Sequence, residues 1–149
     1  MTATIVAEIK VSDFARSLDF YTRILPFAVA YSRPEQGFAY LTLGNSALML
    51  DQLGLGRNFE EARGPMQPPF GRGLNLQIEL DEVAPVLARL KADGLELFLP
   101  LEDRWYRRND EDVGNRQFVV ADPDGYLLRF FEDLGARPPG AGDAAGAMG

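Results

Sequence analysis

Carboxylates, amides and aromatic rings recur at alternate positions in short apolar stretches of this 149-residue chain. Glu8 and Lys10 alternate with Ile9 and Val11, and Phe38, Tyr40 and Thr42 with Ala39, Leu41 and Leu43. Met49 and Asp51 flank Leu50, and Asn75, Gln77 and Glu79 alternate with Leu76, Ile78 and Leu80. In VVADPDGYLLRFFE (119–132), Arg129 and Phe131 alternate with Leu128 and Phe130. Side chains two apart on a strand share a face, so these polar and aromatic groups are expected to line one cavity. The carboxylates of Glu8, Asp51 and Glu79 could hold a cation or move a proton, and the rings could wall a planar guest. Arg129 has two compatible readings: it contacts a guest, or it satisfies Glu8 or Glu79 in an internal network. Trp105 and Tyr106, in a polar stretch, either stack a ligand or plug one open end of the fold.

Two residue types are missing. The chain has no histidine, the commonest general base near neutral pH and the commonest metal ligand, and no cysteine. Disulfides, thiolate nucleophiles and imidazole or thiolate metal centres are therefore excluded, which leaves an all-oxygen site as the route to a metal. A formal net charge of −7 argues against a nucleic-acid partner and suits a cationic small molecule. No apolar run is long enough to span a bilayer, and the N-terminus does not read as a signal peptide, so a cytoplasmic protein with no membrane partner is expected.

The elements that must position these residues repeat. A strand from Thr4 to Val11 leads to a helix capped by Asp13, with Phe14, Leu18, Tyr21 and Leu25 at helical spacing and Pro26 as its stop. Strands follow at 27–32, 38–43 and 47–52, with turns at Gly37 and Gly44-Asn45. The Gly/Pro-rich segment 53–72 reads as a linker or lid with a short helical turn near Asn58, and its Phe59, Met66 and Phe70 as dimer contacts or, failing that, as part of a lid. Then the pattern restarts: a strand at 74–80, a helix capped by Asp81 and ended by Gly94, a strand at 95–99, a polar loop at 104–115 and the DPDG hairpin. The acidic run Asp110, Glu111 and Asp112 reads as solvated, and Asp122, Asp124 and Gly125 as turn chemistry. The fold class is α+β: two repeated βαβββ modules (1–52 and 73–133) forming a curved, partly open mixed sheet with helices on its outer face, a linker at 53–72 and a disordered tail at 134–149.

Three stretches carry a family resemblance: VSDFARSLDFYTRIL (11–25), FAYLTLGNSALML (38–50) and RQFVVADPDGYLLRFFE (116–132). Across residues 4–133 the chain resembles the vicinal oxygen chelate superfamily, which includes glyoxalase I, extradiol dioxygenases and bleomycin-resistance proteins. Its enzymes hold a divalent metal with one ligand from each of four strands. By the resemblance those positions fall on Val6, near Met49, on Asn75 and on Arg129, and none is a carboxylate or imidazole. The resemblance therefore implies a bleomycin-resistance-type member with no metal, no cofactor and no catalytic residue. It would be a homodimer, with or without exchanged N-terminal strands, that sequesters a cationic or aromatic molecule such as a glycopeptide antibiotic in grooves at its interface. Its ligand-binding set would be Glu8, Phe38, Tyr40, Met49, Asp51, Asn75, Gln77, Glu79, Trp105, Tyr106, Arg129 and Phe131. The alternatives are a glyoxalase- or dioxygenase-like lyase or oxidoreductase with an atypical oxygen-ligand metal site, metal-free acid–base work by Glu8, Glu79 or Asp51, and a dimeric domain whose ligand is not a drug.

Overall fold

The structure, a computed structural model, describes residue 3, residues 5–56 and residues 59–140. Thr4 of the expected first strand, Asn58 of the expected helical turn and residues 141–149 of the expected tail lie outside the described residues. The chain divides into two compact units, residues 1–74 with 122–126 and residues 75–121 with 127–149.

The first unit runs β1 (Ala7–Val11), α1 (Phe14–Asp19) with a π-helical continuation over Phe20–Ile24, then β2 (Ala28–Arg33), β3 (Phe38–Leu43) and β4 (Ser46–Gln52). The strands lie in the order β1-β4-β3-β2, with β1 parallel to β4 and the other pairs antiparallel. The Asp13 carboxylate accepts from the Arg16 amide at 3.1 Å and caps α1. Phe14, Ser17, Tyr21 and Ile24 recur at three- and four-residue steps and are buried. Arg23 pairs with Asp19 one turn back at 2.8 Å. One face of the sheet is apolar: Ile9, Val11, Ala39, Leu41, Leu48 and Leu50 are all buried.

The segment 53–72 belongs to this unit. Phe70 is buried, its amide donates to the Asp124 carbonyl at 2.8 Å, and its ring meets Tyr126 edge-on at 6.1 Å. Phe70 is thus a core residue rather than a dimer contact, while Phe59 is exposed.

The DPDG turn does more than reverse the chain. The Asp122 carboxylate accepts from the amides of Asp124 and Tyr126, both at 2.9 Å, and from the Tyr21 hydroxyl at 2.7 Å. The Asp124 carboxylate accepts from the Ser12 amide at 3.0 Å and the Ser12 hydroxyl at 2.5 Å, and Tyr126 donates to the Lys10 carbonyl at 2.9 Å. Gly125, at φ +100°, could not carry a side chain: a Cβ there would stand 2.8 Å from the Pro69 Cα.

Burial, reinforced by the Asp122 carboxylate, pushes the Tyr21 hydroxyl well above its ordinary pKa, and burial pushes Tyr126 up as well. A raised folded-state pKa gives stability that is full below the unfolded value of about 10 and is lost as pH rises above it, because the unfolded chain ionises first. Each of the two tyrosines then removes up to about 1.4 kcal/mol of stability per pH unit above pH ~10. Urea unfolding across this range is expected to show a falling stability whose slope is roughly halved by Tyr21→Phe. An unchanged slope in that variant would assign the alkaline loss to other groups.

The second unit runs β5 (Asn75–Glu79), α2 (Ala84–Ala92), β6 (Leu99–Arg108), β7 (Glu111–Ala121) and β8 (Leu127–Arg137). Its strand order, β5-β8-β7-β6 with β5 parallel to β8, reproduces that of the first unit. The fold is thus α+β, two βαβββ modules each with an open, mixed, four-stranded sheet. Ile78, Leu80, Val83, Val86, Leu90, Phe118, Val120, Leu128 and Phe130 form its apolar core.

Four expectations are corrected here. The helix begins at Ala84 with Val83 at the N-cap position rather than Asp81, and Glu132 Oε1 takes the Val83 amide at 3.0 Å. The expected strand at 95–99 and loop at 104–115 are instead one long hairpin, β6–β7, turning at Asn109 and Asp110. Cross-strand ion pairs hold it, Asp103 with Arg116 and Arg108 with Glu111, each at 2.8 Å. Arg116 also holds the Asp103 carboxyl below the usual range. Asp112, expected in a solvated loop, is buried and accepts from the Gly140 amide at 3.1 Å. Finally, β8 reaches Arg137, so the tail does not start at 134.

Candidate functional site

Each sheet has a second face, polar and aromatic, opposite its apolar one. In the first unit the cross-strand register sets Glu8, Met49, Tyr40 and Tyr31 in one row and Lys10, Asp51, Phe38 and Arg33 in the next. Tyr31 stacks on Tyr40 with centroids 5.1 Å apart, and the Arg33 guanidinium lies 4.0 Å from the Phe38 ring centre. Glu8 is exposed, Met49 and Tyr40 are half-buried, and Tyr31 is 51% exposed. Asp51 is not an open carboxylate: it forms an ion pair with Lys10 at 2.6 Å, and Lys10 is only 2% exposed. Sequence reasoning missed Tyr31 and Arg33. Their alternation in AVAYSR was the available signal, blurred by a bulge between Val29 and Tyr31.

In the second unit Gln77, Arg129, Val119 and Leu99 form one row, and Glu79, Phe131, Gln117 and Glu102 the next. Arg129 donates to the amide oxygen of Gln77 at 2.6 Å. Its observed partner is therefore neither Glu8 nor Glu79, and among the described residues no carboxylate forms an ion pair with it. Asn75, Gln77 and Glu79 are exposed on this face, while Arg129 and Phe131 are half-buried.

The deepest polar group on this face is Gln117, at 1% exposure, which sequence reasoning overlooked. Its amide nitrogen donates to Glu102 at 2.8 Å and to the Tyr106 hydroxyl at 2.6 Å. Arg104 lies 3.8 Å from Glu102. Counting outward from the DPDG turn pairs Val119 with Arg129 and Gln117 with Phe131, so its position could be read from the hairpin alone.

Trp105 and Tyr106, expected together in a loop, are neighbours on β6 and point to opposite faces. Tyr106 joins Gln117. Trp105 packs over Gly114, where a Cβ would meet its ring at 2.8 Å, and the Arg137 guanidinium lies 3.9 Å from its ring centre.

The residues at the family's metal positions do not fit a divalent cation. Val6 offers no donor atom, the Met49 thioether is too soft for a hard cation, Asn75 supplies one neutral oxygen, and the Arg129 guanidinium repels a cation. Among the described residues no three His, Cys, Asp or Glu side chains come together as a metal site.

A four-stranded βαβββ module occurring twice, with an apolar helix-bearing face and a polar open face, defines the class of the fold. The family model described as Glyoxalase/Bleomycin resistance protein/Dioxygenase superfamily matches residues 5–130, and the chain belongs to this superfamily. Among solved structures, TioX from Micromonospora sp. ML1 is 23% identical, with 87% of this chain and 98% of that one covered and a TM-score of 0.64. A protein of unknown function from Agrobacterium tumefaciens str. C58 is 28% identical over 85% and 90% of the two chains, with a TM-score of 0.61. A lactoylglutathione lyase from Agrobacterium tumefaciens is 18% identical over 87% and 92%, with a TM-score of 0.56. A search of curated proteins gave no match. Among the described residues no helix is long and apolar enough to cross a membrane.

Proposed function

We propose that this chain is a binding protein for a small planar organic molecule that it holds without a metal, in the manner of the superfamily's bleomycin-resistance members. The observation that carries the reading is Arg129. It stands where the resemblance places a metal ligand, and its guanidinium is held toward the open face of the second sheet by Gln77 rather than by a carboxylate. The aromatic row of the first unit supports it: Tyr31 and Tyr40 present stacked rings, and Tyr31 is largely open to solvent. Neither face concentrates negative charge, since Lys10 neutralises Asp51 and Arg104 lies beside Glu102. Aromatic surface, more than overall acidity, therefore supports the choice of guest. A homodimer belongs to the same proposal, supported by the exposed Val29 and Tyr31 on the edge strand β2.

Two measurements test it. Purified protein dialysed against zinc, manganese, nickel or iron(II) is expected to retain no stoichiometric metal. A panel of planar aromatic compounds, bleomycin included, is expected to contain a ligand that raises the unfolding temperature. At a hundredfold excess over its Kd, such a ligand adds about 2.7 kcal/mol, or roughly 5 to 10 °C. Trp105 fluorescence is a poor reporter, because its ring packs on Gly114 and Arg137 on the far face. One metal per chain with lyase or dioxygenase turnover, or no thermal shift across the panel, would overturn the proposal.

A further inference from the structure

The open face of the second sheet carries hydrogen-bonding capacity that the protein does not use. Glu102 can only accept, so the Gln117 amide must turn its nitrogen toward it, which fixes the opposite orientation for Oε1. That oxygen is buried and has no partner. The Nε–H groups of Arg104 and Arg129 are likewise buried and without acceptors. The Tyr106 oxygen accepts from Gln117, which leaves its own proton available to donate. Gln117 and Arg129 sit diagonally across the β7–β8 ladder, a spacing of roughly 7 to 8 Å that long side chains bridge. Buried polar groups of a folded protein are almost always satisfied, so several unsatisfied ones on one face point to a missing partner. A ligand that reaches both Arg129 and Gln117 would supply an acceptor to the guanidinium and a donor to the amide oxygen.

We propose that this face is a carboxylate-recognition subsite for a small organic acid that bears a hydroxyl or N–H beside its carboxylate. Arg129 takes the carboxylate with its unneutralised guanidinium. Gln117 Oε1 accepts from the neighbouring donor. Arg129 is the cation available for this, because its one observed partner, Gln77, is neutral. Glu79, diagonal to Arg129 across Phe131, is exposed and leaves the guanidinium unneutralised. The inference rests on the reading of the chain as a metal-free binder and names the chemistry of its guest.

The test uses three probes on the full chain, labelled with nitrogen-15: mandelate, its amide mandelamide, and phenylacetate. Mandelate carries ring, carboxylate and hydroxyl, and each of the others lacks one polar element. Mandelate at millimolar concentration is expected to shift the Arg129 Nε–H and Gln117 side-chain signals saturably. Mandelamide should bind at least tenfold more weakly, and phenylacetate severalfold more weakly. Arg129→Met should erase the preference for mandelate over mandelamide, and Arg129→Lys should retain part of it, since lysine keeps the charge and loses the planar fork. If Arg129→Met does not fold, the mandelate-to-mandelamide ratio of the unaltered protein decides the matter. Equal binding of acid and amide, a preference that survives in Arg129→Met, or no saturable shift with mandelate would overturn the subsite. Neutral aromatic probes that shift Tyr31 and Tyr40 while charge makes no difference would leave the metal-free binder standing and remove the subsite alone.

Discussion

Lys10→Met is expected to lower the unfolding free energy by about 3 to 5 kcal/mol, a large part of the total stability of a domain this size. Lys10 is 2% exposed and its ammonium lies 2.6 Å from Asp51 Oδ2. Removing the lysine leaves the Asp51 carboxylate in a position where water reaches it poorly, without the cation at its side. Escape is restricted as well, since Asp51 Oδ1 approaches within 3.1 Å of where a Cβ on Gly56 would stand. The pair itself contributes much less than its removal costs, because both charges were desolvated to form it. The double variant Lys10→Met/Asp51→Leu should therefore recover most of the loss. Urea unfolding of the two single variants and the double variant gives the coupling energy directly. A loss below about 1 kcal/mol for Lys10→Met would show that Asp51 is solvated well enough to stand alone.

The second large effect is at the turn. Asp122→Ala leaves three donors without their acceptor: the amides of Asp124 and Tyr126 and the hydroxyl of Tyr21. At about 1 to 3 kcal/mol for each buried unsatisfied donor, a loss of at least roughly 3 kcal/mol is expected. Asp122→Asn makes the informative contrast. Its amide oxygen can keep both backbone donors, and its nitrogen can donate to the Tyr21 oxygen in place of accepting from it. Burial raises the Asp122 pKa, its largest influence, so ionising this carboxylate inside the fold is itself unfavourable. The sign follows: a raised carboxyl pKa favours the folded state below the unfolded value near 4, and that advantage is lost as pH rises through the folded value. The neutral asparagine avoids this cost but leaves the Tyr21 proton without its acceptor, so Asp122→Asn should lose about 1 to 2 kcal/mol at neutral pH, less than the Ala variant. An Asn variant as unstable as the Ala variant would mean that the charge, not the hydrogen-bond geometry, holds the turn.

What could be read from the sequence follows physical lines. β3 was legible to the residue because FAYLTL alternates cleanly and Gly44-Asn45 closes it. Helix α1 was legible because Asp13, the apolar spacing and Pro26 all agree. The β6–β7 hairpin was hidden because EDRWYRR is polar or aromatic on both faces. Its stability comes from cross-strand partners such as Arg116 that local periodicity does not show. The start of α2 was misplaced because its cap, Glu132, comes from 49 residues away. At the candidate site, the shared faces followed from alternation, whereas the partners did not. Charge favoured a glutamate for Arg129, but the register set Gln77 beside it. Asp51 looked available as a lone carboxylate, and only the parallel pairing of β1 with β4 revealed Lys10 opposite.

The DPDG turn also bears on how the chain is made. Tyr21, Ser12 and the Lys10 carbonyl find their partners 101, 112 and 116 residues downstream. A ribosome releasing the polypeptide from its N-terminus delivers β1 to β4 long before it delivers Asp122. Until then the chain contains no Asp122 to accept from the fully buried Tyr21 hydroxyl. The two halves repeat one strand order, but the earlier copy takes part of its hydrogen-bonding from a turn that lies near the end of the later one. A gene fragment ending after β4 would thus encode every strand of the first sheet and still fail to supply what its helix needs.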